Sequence, residues 1–413
     1  MVTINPIPRA LVPADSAAAQ RLCSPNYDEF QNDREITELL ERQPDSVLSI
    51  TMPHAWPDAE GKMLPEGSAE ALRVAAERMS ALQTGTLTRE VNEAVFLYEI
   101  TDPRRPGTRQ IGLGGMVSAS DIQTDRNPRG TIVRNEGVRP PKARGRADLI
   151  EATRAIIGVV NNAVEDREDQ FVTALEAEAG RCAPDYGARA ADGCTHSVWL
   201  VTEPAARDGL IAAAAAEPFA YVADGNHRSA AASMLGLEGF LAVAFPASRM
   251  GLAPYNRLVS AGGRPVSQWR EDLSEYFTVR DAPGSGDFQP TATHSVGLYA
   301  DGTWLALTPR SGTFEEGNAA QSIDAAIVQR LVFERLCGIP DPSDERLTFV
   351  GGDRDASYLR GRVDSGEYAF AVTVPPVTMS QFIEVCRQRR MMPPKSTWFS
   401  PKIRSGMVMA LLD

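Results

Sequence analysis

The sequence has few of the residues that bind transition metals or form disulfide bonds. Its 413 residues include four histidines, His54, His196, His227 and His294, and no His-Glu-x-x-His motif. Five cysteines are scattered along the chain, and no two of them form a Cys-x-x-Cys pair. Neither a permanent transition-metal site nor a disulfide framework is therefore expected, and the cysteines are interpreted as reduced thiols.

Long hydrophobic segments are also missing. The sequence contains no run of about 18 apolar residues, the length that a transmembrane helix needs. The N-terminal stretch MVTINPIPRALVPADSAAAQ has prolines and an arginine where a signal peptide requires an apolar core. We therefore expect a soluble cytoplasmic protein that has no membrane partner.

Positive charge is in deficit, with 42 basic against 54 acidic residues and a net charge of −12 at pH 7. Proteins that bind nucleic acid neutralise its phosphates with basic side chains, so the composition argues against a nucleic-acid partner. Two stretches are basic although the net charge of the chain is negative. Residues 134–146 carry five cations and one acid, and residues 387–406 carry six cations and no acid.

The order of predicted helices and strands indicates an α/β (α+β) protein in three ranges. Residues 1–105 form an N-terminal α/β region, and strands alternate with helices in a core at 106–260. A glycine- and serine-rich stretch near 261–290 suggests a boundary before a C-terminal α/β region, 261–413, which we expect to pack on the core. Within this region, THSVGLYADGTWLALTP predicts a hairpin with an Asp-Gly turn.

A strand-to-helix corner lies at YVADGNHRSAAASML, residues 221–235. Gly225 permits a tight turn, and Asn226 or Ser229 can cap the helix that follows. The first turn of a helix exposes N–H groups and the positive end of the dipole, which together form an anion site. His227 and Arg228 add donors, and arginine can grip a phosphate with two hydrogen bonds. The spacing leaves open a simpler alternative, a capped helix with an Asp224–Arg228 ion pair.

The basic loop RNEGVRPPKARGR, residues 134–146, contains Glu136 as its only acid. One interpretation is a solvated loop in which Glu136 forms a weak surface ion pair. The other is a mobile phosphate-binding lid in which Glu136 is the general base on a substrate hydroxyl.

The basic segment 387–406 contains Lys395, Trp398 and Phe399, and its two adjacent prolines predict a turn-rich path. The aromatic rings either stack on a nucleobase or pack in the core. A phosphate-binding role for Lys395 stays open at this point. We expect the segment to fold back onto the core.

Seven segments resemble the domain-of-unknown-function family numbered 1015 across nearly the whole chain, and the chain is identified as a member. The last of the segments is long and specific. They are SPNYDEF (24–30), NEGVRP (135–140), HSVWLV (196–201), YVADGNHRSAAA (221–232), PYNRLV (254–259), FVGG (349–352) and MPPKSTWFSPKIRSGMV (392–408).

The core of that family resembles the ParB/sulfiredoxin-like superfamily, in which the free-serine kinases look nearest. They share a loop with a glutamate, then a helix, a strand and Asp-Gly-His-His-Arg, over about residues 106–260. The resemblance implies a mixed-sheet core and phosphoryl transfer from ATP or ADP, with Mg²⁺, to a small hydroxylated substrate. Glu136 matches the base, and residues 224–228 match the phosphate corner.

These matches give three sets of candidate site residues. The catalytic candidates are Glu136, Asp224 and His227, with Asp224 also the magnesium ligand. The nucleotide- and phosphate-binding candidates are Arg139, Gly225, Asn226, Arg228, Ser229 and Lys395. The substrate-binding candidates are Arg146, His196, Trp199, Tyr255, Asn256 and Arg257.

The chain departs from the pattern at Asn135 and Asn226, where the relatives have histidines, and at Ala143 and Gly145, where they have acids. Asparagine can donate a hydrogen bond but cannot shuttle a proton. The sequence therefore leaves open the acceptor substrate, the choice of ATP or ADP, and the effect of both asparagines. The oligomeric state is also open, with a homodimer as one outcome.

Two functions from different classes follow. The first is a small-molecule kinase that phosphorylates the hydroxyl of a free, serine-like amino acid or a related metabolite. The alternative is a nucleotide-binding regulatory switch of the ParB-like type, which uses the same corner, needs no Glu136 and transfers no phosphoryl group.

Overall fold

The computed structural model describes residues 1–124, 126–284 and 286–413. Contacts divide the chain into two compact units. The first unit contains Met1–Arg134, Val138–Met250 and Pro401–Asp413, and the second contains Asn135–Gly137 and Gly251–Ser400.

Twenty strands are formed by the described residues. They are β1 Ile4–Asn5, β2 Ile7–Pro13, β3 Thr88–Thr101, β4 Arg109–Ser118, β5 Ile132–Val133, β6 Ala155–Ile156, β7 Val160–Val164, β8 Tyr186–Arg189, β9 Thr195–Val201, β10 Ala220–Asp224, β11 Gly239–Pro246, β12 Leu252–Ala253, β13 Asn256–Val259, β14 Phe277–Asp281, β15 Val296–Ala300, β16 Thr303–Pro309, β17 Leu347–Val350, β18 Phe370–Thr373, β19 Trp398–Phe399 and β20 Met409–Leu411.

Thirteen α-helices accompany these strands in the described residues, with a π-helical stretch at Gln329–Leu336. No helix in this part of the chain combines the length and the apolar character needed to cross a membrane. The helices are α1 Ser16–Leu22, α2 Asp33–Arg42, α3 Leu48–Thr51, α4 Ala69–Thr84, α5 Pro140–Thr153, α6 Gln170–Ala179, α7 Pro204–Ala215, α8 Asn226–Met234, α9 Val266–Leu273, α10 Ala319–Ser322, α11 Asp324–Val328, α12 Ala356–Asp364 and α13 Met379–Arg387.

A twelve-stranded sheet forms the framework of the first unit. Its main path runs β5-β10-β7-β11-β4-β3-β2-β20-β6, with β1 on β4, β9 on β3 and β8 on β9. The pairs β5–β10 and β7–β11 are parallel, and the other pairs are antiparallel. The mixed-sheet α/β class expected from the sequence is therefore confirmed.

Glycines in β4 allow the sheet to pack tightly. Gly114 lies opposite Phe96 of β3, and a Cβ atom at Gly114 would lie only 2.1 Å from the Phe96 ring. The sequence GLGGMV, which contains Gly114, therefore serves strand packing here.

The second unit has its own antiparallel sheet of six strands, in the order β14-β16-β15-β18-β13-β17. The predicted hairpin is present as β15 and β16. Its turn residues Asp301 and Gly302 have φ values of 50° and 71°, as a two-residue hairpin turn requires. Buried aromatic side chains such as Trp269, Phe277 and Phe370 fill the core beside this sheet.

The compact units differ from the three ranges predicted from the sequence. Strands β2 and β3, from residues 1–105, pair with each other and continue into β4 and β11 of the range 106–260. Hydrogen bonds between strands thus join these two ranges in one sheet. The stretch near 261–290, predicted as a boundary, contains α9 and β14 of the second unit.

The second half of the predicted basic loop is a helix. Helix α5 begins at Pro140, and Pro140 and Pro141 occupy its first positions. Proline is tolerated there because the N–H that it lacks has no partner within the helix. Lys142, Arg144 and Arg146 therefore lie on a helix rather than on a mobile lid.

A buried polar pair, Tyr98 of β3 and His196 of β9, lies within the first sheet. The Tyr98 hydroxyl lies 3.0 Å from His196 Nδ1, and it accepts a hydrogen bond from the backbone N–H of Arg404 at 3.0 Å. Both side chains are almost fully buried. Burial, together with the nearby Arg404 charge, lowers the pKa of His196 to about 3, so the imidazole is neutral in the folded chain.

Two glycines allow a matched test of packing in the first unit. Gly114→Ala should lower the free energy of unfolding by about 1–3 kcal/mol, because its methyl group would overlap the Phe96 ring. Gly145→Ala should raise it by about 0.5–1 kcal/mol, because Gly145 is exposed within α5 and a Cβ atom there meets nothing within 4 Å. Urea denaturation of both variants measures these changes, and equal effects would contradict the packing described for β4.

The neutral state of His196 predicts a pH dependence of stability. The pKa of His196 falls from its ordinary value of 6.5 to about 3 in the folded chain. The unfolded chain therefore binds a proton below pH ~6.5 that the folded chain does not bind, so stability falls as the pH decreases through this window. His196→Asn should reduce that slope by up to about 1.4 kcal/mol per pH unit. Identical pH profiles of wild type and variant between pH 6.5 and 4 would refute this assignment.

Candidate functional site

The corner between β10 and α8 is built around Gly225. The strand ends at Asp224, and Gly225 is the N-cap residue of α8 with φ 103°, in the region that favours glycine. Neither residue expected to cap the helix does so: α8 begins at Asn226, and the Ser229 hydroxyl donates to the Asn226 carbonyl oxygen. The Gly225 backbone thus turns the chain from the sheet directly into the first turn of the helix.

The charged side chains of the corner are paired with one another. Asp224 Oδ2 lies 3.2 Å from Arg228 Nη2 and 3.3 Å from Lys402 Nζ. The Lys402 ammonium also lies 2.9 Å from Asp28 Oδ2. Arg228 is buried, and its Nη1 donates to the Val159 carbonyl oxygen. The ion pair left open by the sequence is therefore present, within a larger set of charges.

Arg404 extends these contacts with two further ion pairs. Its guanidinium lies 2.8 Å from Glu29 Oε2 and 2.9 Å from Asp192 Oδ2. Burial acts to raise the pKa of Asp192, but Arg404 and a hydrogen bond from Cys194 lower it below its usual value. We refer to these side chains together as the charged cluster: Asp28, Glu29, Asp192, Asp224, Arg228, Lys402 and Arg404.

Asn26 holds together three segments that are far apart in the sequence. Its amide Nδ2 donates to the Ile403 carbonyl oxygen at 3.0 Å, and its Oδ1 accepts from Ser405 Oγ at 3.2 Å and from Arg228 Nη1 at 3.4 Å. The family segments at 24–30, 221–232 and 392–408 thus meet in the first unit through their residues 26, 228 and 403–405.

Five members of the charged cluster were missed as site residues by sequence reasoning: Asp28, Glu29, Asp192, Lys402 and Arg404. The available signal was charge complementarity, because the acidic segment NYDEF and the basic segment KIR both belong to family motifs. No residue pattern in one sequence shows that such segments are in contact.

A mostly apolar pocket of the first unit is lined by Arg146 and Arg228, two of the predicted binding residues. Arg146 donates to the Thr51 carbonyl oxygen, and its guanidinium carbon lies 4.2 Å from the centre of the Tyr27 ring. The structure thus brings a predicted substrate-binding residue and a predicted phosphate-binding residue to one pocket.

His227 contacts the start of α5. Its Nε2 accepts a hydrogen bond from the backbone N–H of Arg139 at 3.1 Å. The acceptor role of Nε2 places the proton of the neutral imidazole on Nδ1. Arg139 therefore meets the corner through its main chain, and it occupies the N-cap position of α5.

His196 and Trp199, both predicted to bind substrate, lie in the interior of the first unit on β9. Trp199 is part of the main hydrophobic core, and its Nε1 donates to the Cys182 carbonyl oxygen at 3.0 Å. Their roles toward a substrate stay predictions.

The remaining site candidates belong to the second unit. Glu136 forms an isolated β-bridge with Met392, and the Met392 backbone N–H donates to the Asn135 carbonyl oxygen at 2.8 Å. Asn256 is buried and hydrogen-bonds Gln289 and the Val374 N–H. The other three are grouped around β13: Tyr255, Arg257 and Lys395.

The donor set at Asp224 does not fit a resident magnesium ion. Within the described ranges, no group of three or more His, Cys, Asp or Glu side chains is arranged to hold a metal. Asp224 is neutralised by Arg228 and Lys402, which are cations in positions where an octahedral ion needs oxygen ligands. Magnesium that enters together with nucleotide phosphates stays a prediction.

No curated protein matches the chain. Free serine kinase in complex with AMP is similar in structure at 12% identity and a TM-score of 0.37, covering 72% of this chain and 92% of that chain. SbnI with C-terminal truncation from Staphylococcus aureus has 11% identity and a TM-score of 0.36, covering 71% and 85%. A conserved hypothetical protein from Pyrococcus furiosus has 11% identity and a TM-score of 0.36, covering 71% and 93%.

A family model gives the match that identifies the chain. The model of the family described as "Protein of unknown function (DUF1015)" matches residues 4–331. This match covers most of the chain and includes the corner at 224–228. The protein therefore belongs to the DUF1015 family.

Proposed function

We propose that the protein transfers a phosphoryl group from ATP or ADP to the hydroxyl of a free, serine-like amino acid or a related metabolite. The observation that carries this proposal is the charged cluster at the N-terminus of α8. Removing so many ionised groups from water costs several kcal/mol per ion, and apolar packing of the same volume is often more stable. Such clusters are therefore functional-site candidates.

The donor phosphates are assigned to the first turn of α8. Backbone N–H groups at a helix N-terminus bind phosphate, and Gly225 has no side chain to obstruct their approach. Asn226, His227 and Ser229 belong to this turn, and Arg139 is the N-cap residue of the neighbouring helix α5. Asp224 and the Val159 carbonyl oxygen hold the Arg228 guanidinium in place. We therefore propose that Arg228 acts mainly through its charge and not through two hydrogen bonds to the phosphate.

Glu136 is the proposed general base. A hydroxyl that attacks a phosphoryl group must lose its proton, and a carboxylate within hydrogen-bond distance can accept it. Glu136 is the only acid in its basic stretch, and it matches the base of the free-serine kinases that the segment resembles. Asp224 and His227 are the other proposed catalytic residues, with Asp224 positioning Arg228 and Lys402.

The residues proposed to bind the acceptor are those predicted from the sequence: Arg146, His196, Trp199, Tyr255, Asn256 and Arg257. Lys395 is proposed as a further phosphate ligand. Magnesium would enter with the nucleotide and neutralise its phosphates. The proposed compartment remains the cytoplasm.

The regulatory switch remains the second candidate. The observation that favours it is that Asn135 and Asn226 occupy positions where the relatives have histidines, because asparagine cannot shuttle a proton. Nucleotide binding at the corner does not need Glu136. A nucleotide-binding protein without phosphotransferase activity is therefore consistent with the same residues.

Glu136→Gln distinguishes the two candidates. The variant keeps the shape of the side chain and removes the base, so nucleotide should bind as before while turnover falls about 10²–10⁴-fold. Turnover is measured by mass spectrometry of phosphorylated products from serine, threonine and homoserine with ATP and with ADP, and binding by calorimetry. Glu151→Gln is the matched control, because Glu151 is an exposed acid of α5 and the variant should keep full activity.

Two results would count against this assignment of Glu136. Full activity of Glu136→Gln on the true substrate would remove it from catalysis. Absence of product from wild type in the whole screen, together with intact nucleotide binding, would favour the switch.

Lys402→Met tests the charged cluster. Removing one partner of a buried ion pair costs about 3–5 kcal/mol, so the free energy of unfolding should fall by that amount. Nucleotide affinity should fall about tenfold or more, because a cation beside the phosphates is lost. Denaturation and calorimetry measure the two effects.

Two further variants control this test. Lys62→Met removes an exposed lysine and should change neither quantity. The double variant Asp28→Asn, Lys402→Met restores the charge balance and should recover part of the stability. If Lys402→Met kept wild-type stability and nucleotide affinity, the cluster would not be the site.

A further inference from the structure

Arg257 differs from every other buried cation in the described residues. Four lysine and arginine side chains are buried there: Arg228, Arg257, Lys402 and Arg404. Three of them meet carboxylates at 2.8–3.3 Å. Arg257 is the most buried, with 2% of its surface exposed, and no carboxylate of the described chain lies within ion-pair distance of it.

Among the residues that the structure describes, the partners of Arg257 are two main-chain carbonyl oxygens and an aromatic ring. Nη1 donates to the Tyr255 carbonyl oxygen, and Nη2 donates to the Lys395 carbonyl oxygen at 3.2 Å. The guanidinium carbon lies 5.2 Å from the centre of the Phe349 ring. A guanidinium has five N–H donors, and these two bonds leave donors for a further acceptor.

No described residue compensates the charge of Arg257. Burial lowers its pKa to about 10, which still leaves it protonated at neutral pH. A buried charge without a counter-ion is costly, and proteins usually pair such charges. Among the described residues, Arg257 therefore lacks a negatively charged partner.

Lys395 adds a second cation beside Arg257. Its backbone is in the left-handed region with φ 60°, a conformation that costs free energy for a residue other than glycine. Its ammonium lies 5.4 Å from the centre of the Tyr255 ring. Lys395 thus contacts Arg257 through its main-chain carbonyl oxygen, and its ammonium adds a second positive charge to the same group of side chains.

We propose that Arg257 and Lys395 form an anion-binding subsite of the second unit, which takes a small oxyanion, either a carboxylate or a phosphate group. The bound anion supplies the counter-charge that the described part of the chain does not provide at Arg257. This inference does not depend on phosphoryl transfer, because a regulatory ligand would be held by the same charges.

Calorimetry of the full chain tests the subsite with inorganic phosphate and, separately, with acetate, at constant ionic strength. Arg257→Gln should weaken anion binding at least tenfold, and Lys395→Gln should weaken it severalfold. Arg264→Gln is the matched control, because Arg264 is an arginine of the same unit that has a carboxylate partner, Asp272. This control should bind the anions like wild type.

The outcomes separate the ligand classes and the two proposals. Binding of both probes identifies a carboxylate site, and binding of phosphate alone identifies a phosphate site. Wild-type anion affinity in Arg257→Gln would overturn the inference. If, in addition, Lys402→Met abolished binding, the anion would be bound at the charged cluster instead. If Arg257→Gln does not fold, Lys395→Gln decides, and unchanged affinity refutes the subsite. Failure of the proposed kinase function would appear elsewhere, as absence of phosphorylated product.

Discussion

The ammonium group of Lys402, held between Asp28 and Asp224, is the contact on which the candidate site depends. It joins residues from the N-terminal segment, the corner before α8 and the C-terminal segment at distances of 2.9 and 3.3 Å. Buried charges tolerate little displacement, because separating them in a medium of low dielectric constant is costly. The position of Asp224, and with it the start of α8, is therefore fixed by a residue 178 positions away in the sequence.

The two compact units use opposite electrostatic arrangements. In the first unit, three buried cations are paired with four acids of the same chain, so each cation of the charged cluster has a carboxylate partner without a ligand. In the second unit, Arg257 is more deeply buried than these cations, and its partners among the described residues are carbonyl oxygens and an aromatic ring. The first arrangement positions backbone and side chains, whereas the second leaves a positive charge for an external partner.

The sequence predicted local structure correctly where neighbouring residues alone decide the conformation. The hairpin β15–β16 was predicted from Asp301-Gly302, because few residues adopt positive φ at both turn positions. Helix α4 likewise has apolar residues at helical spacing and a glycine directly after its last residue, which are both local signals. The start of α5 was missed because Pro140 and Pro141 were interpreted as loop residues, although proline is favoured in the first turn of a helix.

By itself the sequence determined the α/β class, the family membership and the corner Asp224–Arg228, since periodicity, turn residues and family segments are all written along the chain. The tertiary structure alone decided what these residues contact. It paired Asp224 with Lys402, placed Asn26 beside Arg228 and gave Arg257 no carboxylate partner among the described residues. The physical reason is that a period or a motif indicates which face of an element is buried. The partner of a buried charge depends on long-range packing, which joins segments hundreds of residues apart.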